Sequence, residues 1–186
     1  TGHPVGLAHL YLAVGRELRA RGVELLTPAD GLRWEDGGRD HPWQIRYLEG
    51  LALLTDTASA RHTHSGDAMA RMLEQERPDL VFADHGFAGA AIERGIDTVS
   101  IADVNDPALL VARAQGRTEA VIVMDDNVRP QDYWPCFQAI AARLPDGTLR
   151  LANGRSASPH ELWPLELEGA LLERLAVALP HLLDVL

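Results

Sequence analysis

The sequence predicts an α/β fold: a three-layer Rossmann-like sandwich around a mostly parallel sheet. Three observations carry this expectation. Short apolar runs recur at residues 79–84 (DLVFAD), 98–103 (TVSIAD) and 120–125 (AVIVMD), and each ends in Asp. Helix-patterned segments of about 8–12 residues lie between them. Strands that alternate with helices require right-handed crossovers and therefore run parallel.

The elements follow in order. Leu7, Leu10, Tyr11, Val14 and Leu18 recur at helical spacing over residues 7–21, and Gly22 closes that helix. Residues 23–26 read as a short buried strand. Residues 27–41 are rich in Gly and Asp and read as a loop. Residues 42–54 suit a helix entered at Pro42, turning to strand near 51–55. Residues 59–63 read as a short strand. A helix is expected over 67–76, with Ala68, Met69, Met72 and Leu73 facing inward. After the first apolar strand comes an Ala-rich helix at 88–94, closed by Gly95. Pro107 opens a helix over 107–115, and a further helix covers 133–143. Residues 149–151 suit an edge strand. Residues 164–179 are strongly helical, and 160–186 form a closing helical segment whose leucines also suit a homo-oligomer contact.

Length and composition bound the function. The chain has 186 residues, 46% apolar and 24% charged, as expected for a single α/β domain over residues 1–186. All 17 basic residues are Arg, set against 27 acids, for a net charge of −10. That balance disfavours nucleic acid and anionic membrane surfaces. The absence of Lys removes the phosphate-loop NTPase signature and Schiff-base chemistry on Lys. Cys136 is the only cysteine, so neither an intrachain disulfide nor a cysteine zinc cluster can form. It reads as a core residue, and a cytoplasmic location is expected. Thr1-Gly2-His3-Pro4 reads as the exit of a strand. A strand or longer region ahead of Thr1 is therefore expected to be missing from this chain.

Five polar clusters fall at strand exits or loops. They are Gly2-His3-Pro4, His62-Thr63-His64-Ser65-Gly66, Asp84-His85-Gly86, Asp103-Val104-Asn105-Asp106-Pro107 and Asp125-Asp126-Asn127. In a parallel sheet all strand exits share one edge, where ligands of such folds bind. The clusters should therefore converge. Crowded carboxylates repel unless a cation compensates. Asp84, Asp103, Asp125 and Asp126 are the candidate ligands of a divalent metal, Mg²⁺ or Mn²⁺. His62, His64, His85 and Asp106 are the candidate catalytic groups, as general acid or further ligands. Gly2, His3, Ser65, Gly66, Gly86 and Asn105 are candidates for holding a phosphate, with Arg61, Arg113, Arg117 or Arg129 as guanidinium partners. Asp106 before Pro107 also suits an ordinary helix N-cap, and Asp126 with Asn127 an ordinary turn.

In this order the clusters resemble an actinobacterial family of phosphatases, over roughly residues 1–143. The resemblance implies a phosphate-ester hydrolase acting on a small phosphorylated substrate. Family members carry a further N-terminal region, and their third acidic cluster often ends in His, where this chain has Asn127. With no Lys or placed Cys nucleophile, water activated by a metal is the expected attacker, and a phospho-Asp intermediate the alternative. The competing readings are a Rossmann-type module that binds a phosphorylated ligand or sugar nucleotide without hydrolysis, and a glycosyltransferase half-domain.

Overall fold

The computed structural model describes residues 1–35 and 42–143. The expected strand at 149–151, the helix at 164–179 and the closing segment 160–186 lie outside the described residues. The chain divides into two compact units. Among the described residues, one is built from Thr1–Ala8 and residues 26–35 and 42–127, the other from His9–Leu25 and residues 128–143.

The first unit holds two sheets. The parallel one has the strands β4 (Leu80–Asp84), β5 (Asp97–Ala102) and β6 (Ala120–Val123), in the order β4-β5-β6. β5 is central, and Thr98, Ser100, Ile101 and Ala102 are buried there. Helix α3 (His85–Glu93) follows β4, and α4 (Pro107–Ala114) follows β5. All three expected strands are therefore present, each within about two residues of its expected ends. The helices expected at 67–76, 88–94, 107–115 and 133–143 also form, with α2 spanning Asp67–Gln75. The core gathers Val81 and Ala83 of β4 with Phe87, Ala88, Ala91 and Ile92 of α3, and Met69 and Met72 of α2. Alanine at three of α3's nine positions lets this helix lie close to its neighbours.

The second sheet corrects the expectation of one mostly parallel sheet. It is antiparallel, in the order β1 (Arg33–Trp34), β2 (Trp43–Leu48), β3 (Leu51–Thr55). Residues 42–54 are thus a hairpin, not a helix entered at Pro42. Glu49 and Gly50 sit at φ +50° and +92°, the two positive values of a tight two-residue hairpin turn. Leu48 faces Leu51 across that turn, and Ile45 faces Leu54. β1 gives the expected loop 27–41 a two-residue strand, since Trp34 pairs with Trp43.

Two further short strands do not form. Residues 23–26 are irregular, Val23 is 40% exposed, and the run pairs with no strand among the described residues. Residues 59–63 hold one isolated bridge, Thr55 to Ala60, and are otherwise irregular.

Helix α1 (Pro4–Ala20) begins at its proline, as a missing N–H at the first turn allows. In the second unit its Glu17, 1% exposed, pairs with Arg21 one turn on. A 3₁₀ turn at Pro130–Tyr133 leads into α5 (Trp134–Arg143), where Trp134 stacks on Phe137 at 5.3 Å. Cys136 lies on α5, and burial pushes its thiol up to about 12, which suits a core residue rather than a nucleophile. Among the described residues no helix is long and apolar enough to cross a membrane.

Candidate histidine–carboxylate centre

The centre is built where β4 becomes α3. Asp84 ends the strand and His85 opens the helix at φ +47°, a left-handed conformation that a non-glycine residue adopts at some cost. This sharp turn directs the His85 ring inward, where it is 1% exposed. Gly86 follows because a side chain there would run into the backbone of His64 and Ser65. Residues 62–66 therefore press directly against the start of α3.

Three acids surround the His85 ring. Its Nδ1 faces Asp106 and its Nε2 lies 2.9 Å from Asp126 and 3.9 Å from Asp84. Asp106 sits at the N-cap position of α4, yet its side chain caps no helix amide. It points instead between His85 and the Nδ1 of His64, which is 3.5 Å away. The plain N-cap reading of Asp106 therefore does not describe its side chain. Asp126, 6% exposed, also lies 3.7 Å from the Nδ1 of His3.

The imidazoles form one group. The rings of His64 and His85 are 4.2 Å apart, His62 and His85 5.0 Å, His62 and His64 4.9 Å, and His3 and His62 4.6 Å. Desolvation, then the neighbouring rings of His3, His85 and His64, lower the pKa of His62. For His85 burial acts in the same direction, but Asp106, Asp84 and Asp126 outweigh it and hold the ring above its ordinary value. Burial raises Asp126, and Asp103 and Asp84 add to that rise against the pull of His3 and His85.

Among the described residues two donor triads emerge: His85 with Asp106 and Asp126, all buried, and His85 with His62 and His64. The ligand atoms of each triad lie within 4.8 Å of one another. The buried triad also passes a test of fit to a cation. Neither ring nitrogen of His85, nor the inner oxygen of Asp106, has a partner in hydrogen-bond geometry. A neutral imidazole has only one N–H and satisfies one of the two carboxylates; only the protonated ring offers an N–H to each. A cation between these donors would satisfy all three at once.

The remaining candidates have other surroundings. Asp84, fully buried, accepts the backbone N–H of Gly2 at 3.0 Å and of His3 at 2.7 Å. Those two amides thus hold Asp84 rather than standing open to an anion. Asp103 accepts from the backbone and side-chain amides of Asn105, and Asp125 from the backbone of Asn127, each closing a local turn. Neither belongs to a triad. Ser65 accepts the N–H of Asp67 at the start of α2, and Gly66 leaves room for Ala90 of α3. Three of the four guanidinium candidates are engaged elsewhere: Arg61 with Asp56, Arg117 with Gln115 and Arg129 with Asp132.

Gly6, which with Gly2 suits anion capture at the start of the first helix by sequence, serves a packing role instead. A side chain at Gly6 would overlap the Asp126 carbonyl and crowd the His3 ring. That carbonyl lies 2.8 Å from the Nδ1 of His3. The first turn of α1 and the loop after β6 are thereby held in direct contact.

Fold and site together define an α/β protein with a nitrogen–oxygen donor centre at the carboxyl edge of a parallel sheet. The chain belongs to the Phosphatase family, whose model matches residues 1–146. It is 39% identical over 140 residues to Phosphatase SCO2771 of Streptomyces coelicolor, covering 72% of this chain and 51% of that protein. The chain thus spans about half the length of this curated relative. No solved structure matches.

Proposed function

We propose that this chain carries the centre of a metal-dependent phosphatase that hydrolyses phosphate monoesters. His85, Asp106 and Asp126 hold a divalent cation, and His64 or His62 completes its shell. The observation that carries the reading is the buried His85 ring, set between two carboxylates with both nitrogens unsatisfied. Membership of the Phosphatase family supports hydrolysis rather than binding alone. Imidazole among the donors favours Mn²⁺ over Mg²⁺, which prefers oxygen ligands and keeps its waters. Bound there, the cation would activate water and offset the charge of the ester.

The chain's own groups do the rest. Asp84 fixes Gly2 and His3 against the turn before α3. His3 in turn holds the backbone of Asp126. Asp106 faces His64 as well as His85, so an exposed imidazole is oriented by a buried carboxylate. Such a ring can deliver a proton to the departing alkoxide. With three Arg candidates paired elsewhere, the imidazoles and the cation supply the positive field for the phosphate.

The test joins metal content with phosphate release. Asp106→Asn keeps the shape of the side chain and removes its charge. We expect it to lower Mn²⁺ affinity by about tenfold or more and to reduce phosphate release in proportion. Full turnover in excess chelator, or in the Asp106→Asn variant, would overturn this reading.

A further inference from the structure

The triad of His62, His64 and His85 differs in kind from the buried one: its donors are three imidazoles and no carboxylate. The three rings form a nearly even triangle, with centres 4.2, 4.9 and 5.0 Å apart. Three imidazoles on one tetrahedral Zn²⁺, each bonded at about 2.0–2.1 Å, place their ring centres about 5 Å apart. The rings therefore stand close to the arrangement that such an ion requires, and their ligand atoms already lie within 4.8 Å of one another. We propose that this triad is a second metal site, reached from solvent, that takes Zn²⁺ through three imidazoles.

The chain holds the triangle in place. One residue separates His62 from His64, so an extended segment sends both rings to the same side. The intervening Thr63 donates its backbone N–H to the carbonyl of Gly2 at 2.8 Å, and its hydroxyl accepts the N–H of Ser65 at 3.0 Å. Gly86 lets the backbone of His64 and Ser65 lie against the start of α3. Asp106 lies 3.5 Å from the Nδ1 of His64, where a carboxylate orients a ligating imidazole and leaves its Nε2 for the ion. His85 supplies the fixed corner. Its ring is 1% exposed, and neither nitrogen has a partner in hydrogen-bond geometry. His62 and His64 are exposed, so an ion can enter on their side.

Donor chemistry separates the two triads. Imidazole suits Zn²⁺, whereas a set rich in carboxylate suits Mn²⁺. His85 belongs to both triads, and a neutral imidazole has one lone pair to give. The two sites are therefore filled in turn. The zinc site goes beyond the phosphatase reading and does not rest on it.

The experiment loads the full, metal-free chain with one equivalent of Zn²⁺ and counts the imidazoles around the ion by X-ray absorption at the zinc edge. We expect three. Fewer than three overturns the site, and a count of one moves the ion to the buried triad. Chelator competition gives the affinity. His62→Asn and His64→Asn should each weaken zinc binding by about a hundredfold, and Asp126→Asn far less. Zinc affinity untouched in both histidine variants, or weakened most by Asp126→Asn, overturns the site as well. Phosphate release enters none of these measurements. An inactive chain with three imidazoles on zinc ends the phosphatase reading and keeps the zinc site; an active chain with one does the reverse.

Discussion

Gly6 bears no side chain because the backbone of Asp126 stands where one would go. Adding a single methyl must push apart the helix start and the loop that carries a candidate ligand. Gly6→Ala should therefore cost about 1–3 kcal/mol, the range for overpacking a tight contact, and should weaken Mn²⁺ binding with it. Urea unfolding and metal titration check both effects; loss of stability with unchanged metal binding would show that the loop position does not matter to the centre. At this scale the sequence was half legible. Four histidines and several Asp residues at strand exits could be counted, and their convergence followed from parallel topology. Which acids face inward could not be counted. Asp103 and Asp125 close turns with Asn105 and Asn127, while Asp106 and Asp126 are buried against His85. Turn and ligand present the same residue types in sequence. Only the backbone path, including the left-handed His85, separates them.

At the scale of elements, the parallel sheet was readable because each strand is a short apolar run closed by Asp, with an amphipathic helix after it. The hairpin was not. Trp43, Gln44 and Ile45 are buried in succession, so the alternation that marks a half-exposed strand is lost. Its turn, Glu49-Gly50, also lacks the Asn-Gly or Asp-Gly pair that announces such a connection. That mismatch has a consequence. Glu49 holds φ +50°, a conformation in which Asn is more comfortable than Glu. Glu49→Asn should stabilise the protein by about 0.5 kcal/mol, the lower end of gains from matching a residue to its native backbone. The urea midpoint should rise with an unchanged m-value. A fall in the midpoint would mean that the Glu49 side chain contributes more than its backbone costs.

The whole molecule carries a net charge of −10 and no Lys, and its central cluster faces acids with imidazoles rather than with fixed cations. Stability must then depend on protons and metal together. In the metal-free protein the acids around His85 raise its pKa above the ordinary 6.5. A group whose folded pKa is raised stabilises the fold below its unfolded value, and loses that contribution as pH rises through the folded one. Burial raises Asp126 above its ordinary 3.8, which again favours the acid side. His62, lowered by burial and its neighbouring rings, works in the opposite direction, but it is exposed where His85 is buried among three acids, so the metal-free protein should lose stability as pH rises from about 6 to about 8, through the range in which histidine loses its proton. A bound divalent cation reverses the sign, because its ligands must shed their protons first. Excess Mn²⁺ should raise Tm more at the higher pH, with a stabilisation of about 2.7 kcal/mol at a hundred times its Kd. Calorimetric scans with chelator and with Mn²⁺ at both pH values measure the pair. A metal-induced shift of the same size at both would show that the cation does not displace the proton on His85, and would place its ligands elsewhere.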